Sequence, residues 1–285
     1  MSVALTNALF LVMLSISQLY IYPVKGLGGI SVSTALVTLR GLENDRRFML
    51  VDQDGLFLTQ REYPSMALLR TTIEADELIV WHKDNQSDKL RLPLVPEPSL
   101  LSTTVKVWDD SCEAQYVSDE ADKWLSGKLN ASCRLLYMPD STKRMVDPLY
   151  AFNNEITSFT DGYPVLLIGQ SSLDDLNNRL EDALPMDRFR PSIVMTGGHP
   201  FEEDTLEQFS INGITFYGVK LCARCVVTTT NQETGTTGKE PLKTLAKYRS
   251  ANNKVFFGQN VLCAGTGIIK SEDEIVVIKR KQVLL

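Results

Sequence analysis

From Ser17 to about Tyr116 the chain is broken into short runs rich in β-formers: SQLYIYPV, TALVTL, RFMLVD, LFLTQ, ALLRTTI, LIVWH, KLRLPL, VKVW and EAQYV. Polar residues, glycines or prolines separate them at the spacing expected of an all-β barrel or sandwich, so the first third of the chain is read as mostly β. The 285 residues suffice for one large domain or two ordinary ones, and 44% hydrophobic residues supply a real core.

Helical signals are fewer. DEADKWLSGK places Ala121, Trp124 and Leu125 at helical spacing after a candidate Asp N-cap, and CRLLYM then resumes a strand. The proline-bearing LVPEPSLLSTT reads as a loop. SSLDDLNNRLEDAL reads as an N-capped amphipathic helix with Leu173, Leu176 and Leu180 on one face. PSIVMT is a predicted strand, and FSINGITFYGV a hairpin whose Asn212-Gly213 pair suits a type I′ turn. KEPLKTLAKYR is a predicted helix with Pro241 in its first turn, and KVFFGQNVL and EIVVIK are predicted strands. The second half is therefore mixed α and β around a β core.

A formal net charge of −6 and a pI near 5.1 argue against a surface that neutralises a nucleic-acid duplex, while leaving room for a local basic pocket. Five scattered cysteines, at 112, 133, 222, 225 and 263, do not form a disulfide framework and fit a reducing cytoplasm. The opening MSVALTNALFLVML lacks the basic flank and cleavage site of a signal peptide and is too short to span a bilayer. Three readings of residues 1–14 stand: Met13 as the true start, a packed extension, or a weak membrane anchor.

The chemistry gathers at KLCARC, where Cys222 and Cys225 flank Arg224. The pair is open to four readings: half a zinc site, a redox dithiol, two buried core residues, or one thiolate ligand with a bystander. Zinc sites commonly use four Cys or His ligands, and the chain offers one such pair with His82 and His199 far off in sequence. A redox dithiol belongs at a strand-to-helix junction, whereas the Val-Val-Thr-Thr-Thr run after the pair prefers strand or loop. Cys222 is suited to packing as a small hydrophobe, and Arg224 beside Cys225 would favour its thiolate as a metal ligand. Lys25 among the glycines of YPVKGLGG, Arg46 and Arg47 of DRRF, and Arg188 and Arg190 of RFRPS could together cradle an anion such as phosphate. Asp161 of TDGYP adds a carboxylate in a turn-like setting.

Taken in order, IYPVKGLGG, GLENDRRFMLVD, FLTQREYP, TDGYPVLLI, LNNRL, RFRPSIV, FEEDT, CARCVVTTTNQETG and KEPLKTLAKYR resemble the MOSC family of molybdenum-cofactor proteins with an N-terminal β-barrel domain. Within it they look most like the mitochondrial amidoxime reducing component and its bacterial relatives. The resemblance runs from about residue 17 to 279 and rests on no single motif. It implies an α+β, predominantly β chain. A β-barrel-like domain would span residues 15–130, and a MOSC β-barrel domain with peripheral helices residues 131–285.

In the family the second cysteine of the C-x-R-C motif ligates molybdenum, which implies Cys225 here. The resemblance further implies that Lys25, Arg46 and Arg190 hold the phosphate and pterin of the molybdenum cofactor (Mo-molybdopterin). Arg224 would line the site, and Asp161 would lie near the metal or its bound water. Gly26 stands where a serine often follows the lysine, and Ser192 where many relatives have asparagine after Arg-Pro. Each departure weakens or removes one contact to the cofactor. A pterin dithiolene brings two sulfurs of its own, so one protein thiolate suffices.

The implied activity is reduction of a small N-hydroxylated substrate such as an amidoxime, a hydroxylamine or an N-hydroxylated base. With no ferredoxin-type cysteine quartet and no flavin fingerprint, electrons are expected from a separate ferredoxin, flavodoxin or cytochrome-type protein and its reductase. The alternative class is a carrier of the cofactor or of sulfur without reductase activity. No nucleic-acid partner and no membrane partner is expected.

Overall fold

A computed structural model describes residues 13–98 and 101–283. The expected N-terminal extension lies, apart from Met13 and Leu14, outside the described residues, as do Ser99 and Leu100 of the proline-bearing loop. The architecture is predominantly β, with three α-helices among the described residues. None of those helices is long and apolar enough to cross a membrane.

The largest sheet has nine strands. Its order is Ile30–Val32, Ser15–Ile21, Ile193–Thr196, Val165–Gly169, Lys254–Ala264, Ile214–Ala223, Leu206–Ile211 and Ile275–Arg280, with Ser250–Ala251 paired to Lys254–Ala264. The first strand of the chain is thus built into the sheet formed by its second half: Leu19 sits opposite Ile193, and Thr34–Thr38 pairs Gly267–Lys270. Leu19, Leu167, Ile193, Phe209, Phe216 and Val261 are fully buried in the core this sheet encloses. Four-stranded and three-stranded sheets carry the rest of the first half, and none closes on itself through its ladders among the described residues.

The hairpin expected at Asn212-Gly213 forms, with φ of 46° and 76° at the two positions, the pair of positive values a type I′ turn requires. The first helix, α1 (Asp119–Leu129), is capped not by an aspartate but by Ser118, whose hydroxyl accepts the Ala121 N–H at 3.1 Å. Ala121, Leu125 and Leu129 are its buried face, while Trp124 is half-buried and donates its indole N–H to Asp88 at 2.7 Å. Helix α2 (Gln170–Asn177) is shorter than its apolar pattern predicts. The Asn177 amide bonds both backbone groups of Leu184, at 2.9 and 3.0 Å, which turns the chain back and ends the helix. Helix α3 (Leu242–Leu245) is likewise a short core of the predicted segment, because the chain must turn into Ser250–Ala251.

Two segments with strand-like composition take other forms. LFLTQ makes only isolated bridges at Leu56 and Phe57. VKVW ends as a strand at Val107, and Trp108 falls in the turn before Asp110–Tyr116.

The strand Ile214–Ala223 carries two register shifts against Lys254–Ala264, between Gly218 and Lys220 and between Leu221 and Ala223. Such bulges bend a strand and re-aim its side chains, here over the segment that runs down to Cys222. Gly218 makes the first one feasible, since a Cβ there would lie 1.7 Å from Gln259 Nε2 and 2.1 Å from Leu206 O. That space is taken by the buried Gln259 amide, which donates to Leu206 O at 2.6 Å. Gly218→Ala is expected to cost about 3 kcal/mol or more of stability, as overpacking against backbone does, read from urea unfolding. Unchanged stability would show that the bulge is not held this way.

Candidate functional site

A cavity of about 740 Å³ opens between the bulged strand, the loop at Lys25 and the segment Phe57–Arg61. Its lining includes Lys25, Gly26, Arg46 and Asp161, and also Arg190, Ser192, Arg224 and Cys225. Every residue to which the family resemblance gives a role or a departure therefore faces one space. Eight lining side chains are lysine or arginine and one, Asp161, is a carboxylate. In a chain of net charge −6 this is a concentrated positive site.

Its deep end is built on Tyr22. The guanidiniums of Arg46 and Arg190 both pack on this buried ring, 4.4 and 4.2 Å from its centroid. Both arginines have positive φ, 49° and 55°, an uncommon backbone state for such a side chain. Arg46 is neutralised from behind by buried Asp45 at 2.6 Å; burial works to lower its pKa, but Asp45 together with Tyr22 and Asp161 prevails and raises it. Arg190 has no ion-pair partner among the described residues. Burial, with Arg46 adding to it, pushes its pKa down to about 10. Arg190 Nη1 donates to Leu27 O at 2.7 Å, and Nη2 is buried without a partner. Arginines 47 and 188 turn elsewhere: Arg47 to Met138 O and Asp140, Arg188 to Thr228 O.

Lys25, itself buried, reaches Asp161 at 2.6 Å, and the Trp108 indole N–H donates to the same carboxylate oxygen at 3.1 Å. Burial opposes ionisation of Asp161, but the Lys25 charge and the hydrogen bonds from Lys25 and Trp108 prevail and hold its carboxyl well below the usual range. Lys25 is driven down by burial against the pull of Asp161. Gly26 has φ of +86°, and a Cβ there would meet Met66 Cε at 2.6 Å. The family's serine would be strained in this backbone, which accounts for glycine at the position. The carbonyl of Gly26 instead accepts from Gln60, which pairs reciprocally with Gln232. Ser192 is buried, and its hydroxyl accepts the Leu166 N–H at 3.3 Å, a strand-to-strand tie.

The two cysteines differ. Cys225 is exposed to the cavity at the start of a 3₁₀ turn, Val226–Thr229, and its carbonyl accepts from the Thr228 hydroxyl and N–H. Cys222 is not a core residue: it lines the same cavity and accepts from Arg224 Nη1 at 3.0 Å. Adjacency in sequence puts Arg224 beside Cys225. Extended backbone instead sends residues two apart to one side, so Arg224 meets Cys222 and Phe189 O, leaving its Nε buried and unpartnered. Of the stretch TTTNQETG, residues 228–235, only Thr228 borders the main cavity; Thr229 and Asn231, with residues 236–238 just beyond it, border a smaller cleft of about 370 Å³.

Among the described residues no three His, Cys, Asp or Glu side chains gather to hold a metal ion by themselves. A metal here needs further donors from a ligand. The buried, unpartnered donors Arg190 Nη2 and Arg224 Nε, with an exposed thiol alongside, suit a group that is anionic and brings its own metal donors. Sequence reasoning missed Tyr22, Gln60 and Trp108. Tyr22 reads as one more strand residue, and nothing local tells that two arginines will stack on it.

Residues 13–132 match the MOSC N-terminal beta barrel domain and residues 154–276 match the MOSC domain. The chain is 30% identical to mitochondrial amidoxime-reducing component 1 of Mus musculus, covering 93% of this chain and 82% of that protein. It is 33% identical to mitochondrial amidoxime reducing component 2 of Bos taurus, covering 82% of this chain and 72% of the relative. It is also 31% identical to the molybdenum cofactor sulfurase of Oryza sativa subsp. japonica over 94% of this chain, which spans about a third (34%) of that protein. The chain belongs to the MOSC family, in the group with an N-terminal MOSC β-barrel domain that includes the mitochondrial amidoxime-reducing components.

Proposed function

We propose that this protein is a molybdenum-cofactor oxidoreductase that reduces small N-hydroxylated compounds, amidoximes, hydroxylamines or N-hydroxylated bases, with electrons from a separate protein. The observation that carries the reading is that eight candidate residues, from widely separated stretches, line one cavity with an excess of positive charge. Similarity to amidoxime-reducing components over most of the chain supports it. When bound, the cofactor would supply a redox-active metal able to take the oxygen of an N–OH group as two electrons and two protons arrive, releasing water and the reduced nitrogen compound.

The chain's own residues would do the rest. Cys225 would provide the protein thiolate. Arg46 and Arg190, fixed on Tyr22, would hold the phosphate and pterin, where burial strengthens each charge-assisted hydrogen bond. Arg224 would direct its free Nε to the cofactor while keeping Cys222 in place. Asp161, held ionised by Lys25, would act as a fixed carboxylate beside the reacting group and not as a proton donor. The proposed compartment is the cytoplasm, in keeping with five free thiols. A second reading, a carrier of cofactor or sulfur, draws on the similarity to the rice sulfurase and the exposed Cys225.

Metal analysis and pterin fluorescence separate the two cysteines. Cys225→Ala is expected to abolish activity with pterin retained, and Cys222→Ser to keep its molybdenum. A molybdenum-loaded protein without turnover on N-hydroxylated substrates, using reduced viologen as donor, would sink the reductase reading. Persulfide on Cys225 with no substrate-dependent redox change would favour the carrier.

Activity with NAD(P)H alone is expected to be absent and to appear when a donor protein and its reductase are added. Robust turnover without them contradicts the electron route. For Asp161, a carboxyl whose folded pKa is depressed stays ionised as pH falls through the ordinary range. NMR titration down to pH about 3 should therefore show no Asp161 transition where an ordinary aspartate would be largely protonated, while Lys25→Met should bring one back into view.

A further inference from the structure

Trp108 breaks a local rule at the mouth of the cavity. The strands Ser102–Val107 and Asp110–Tyr116 are joined by a two-residue turn, with Val107 opposite Asp110. Trp108 has φ of 59°, whereas Asp109 is not among the positive-φ residues. Positive φ at the first turn position is where tight hairpins take glycine, and a bulky aromatic there is a backbone outlier. Such strain persists where the surroundings hold it, and it clusters at functional sites.

The environment of the ring points to the use. Trp108 lines the cavity and remains 43% exposed despite its size. Its indole N–H is fixed on Asp161. The Arg61 guanidinium covers one face of the ring at 4.4 Å, and Phe57 meets it edge-on at 5.4 Å and 61°. The ring is thus held at its N–H, on a face by Arg61 and against Phe57, and much of it stays exposed where it lines the cavity.

We propose that Trp108 is a substrate-binding residue whose exposed ring stacks flat, aromatic N-hydroxylated compounds, so that the site prefers aryl amidoximes and hydroxylated heteroaromatic bases over aliphatic hydroxylamines. The proposal rests on the reductase reading and names the substrate class within it. The N–H bond to Asp161 sets the ring beside the carboxylate, so a stacked planar substrate lies with its polar end near that group. Offset stacking on a preordered ring favours aromatic ligands without selecting one ring system.

The test is equilibrium binding by calorimetry on the cofactor-loaded protein without electron donor, using benzamidoxime and acetamidoxime as probes, together with thermal melting. Wild type is expected to bind benzamidoxime about tenfold more tightly, the scale of one good stack plus the added apolar area. Trp108→Gly should level the two by weakening benzamidoxime far more than acetamidoxime, and melt no lower than wild type, because glycine suits the turn. Trp108→Phe should keep most of the preference. A preference that survives in Trp108→Gly overturns the proposal. So does an equal loss for both probes with a lowered melting temperature, which would mark Trp108 as structural, or a wild type that binds neither. Binding with the expected preference but no turnover would defeat the reductase reading and leave the aromatic wall standing.

Discussion

Two guanidiniums packed on one buried tyrosine set the terms for the rest of this molecule. Arg46 and Arg190 lie 4.4 and 4.2 Å from the Tyr22 ring centroid, and only Arg46 has a carboxylate behind it. Burying like charges together is unfavourable unless an anion joins them or the chain compensates. Here Asp45 neutralises one, the Leu27 carbonyl takes up one donor of the other, and a second donor of Arg190 is left without a partner. The site is therefore built to be completed by an anionic ligand.

The scaffold keeps that arrangement in place through pairings between distant parts of the chain. Tyr22 follows the strand Ser15–Ile21, which pairs with Ile193–Thr196, just beyond Arg190. Both ends of the charge pair are thus tied to neighbouring strands of one sheet, and Ser192 adds a bond to the next strand at Leu166. On the far side, the bulges after Gly218 and Leu221 turn a regular strand into a cavity wall that ends at Cys225. Sheet register and cavity geometry are one problem in this fold: a slipped strand would remove a cation from the site and a side chain from the core.

Much of this was legible beforehand because the informative residues are chemically distinctive. The eight positions singled out by the family resemblance all face the cavity, whereas Arg47 and Arg188, equally cationic in sequence, turn to Met138 O, Asp140 and Thr228 O. Less visible were the supports. Ser118 replaces the expected Asp cap, and Asn177 ends α2 before its apolar pattern does, since side-chain to backbone bonds compete with propensity. LFLTQ looks like a strand by composition but serves as cavity wall, and Arg224 answers Cys222 rather than its sequence neighbour.

By itself the sequence determined the β-rich class and the Asn212-Gly213 turn, and it narrowed the site to the KLCARC pair and a set of dispersed cations, with the choice of Cys225 coming from the family resemblance. These depend on local pattern and on residue chemistry, which need no knowledge of distant partners. Only the tertiary structure decided that Lys25 is paired with Asp161, that Tyr22 underlies both arginines, and that Trp108 stands at the cavity mouth in a turn that favours glycine. Each of these joins residues far apart in the chain or depends on a backbone angle. Contacts across more than a hundred residues and the sign of one φ are set by how the sheets pair, and linear spacing carries neither.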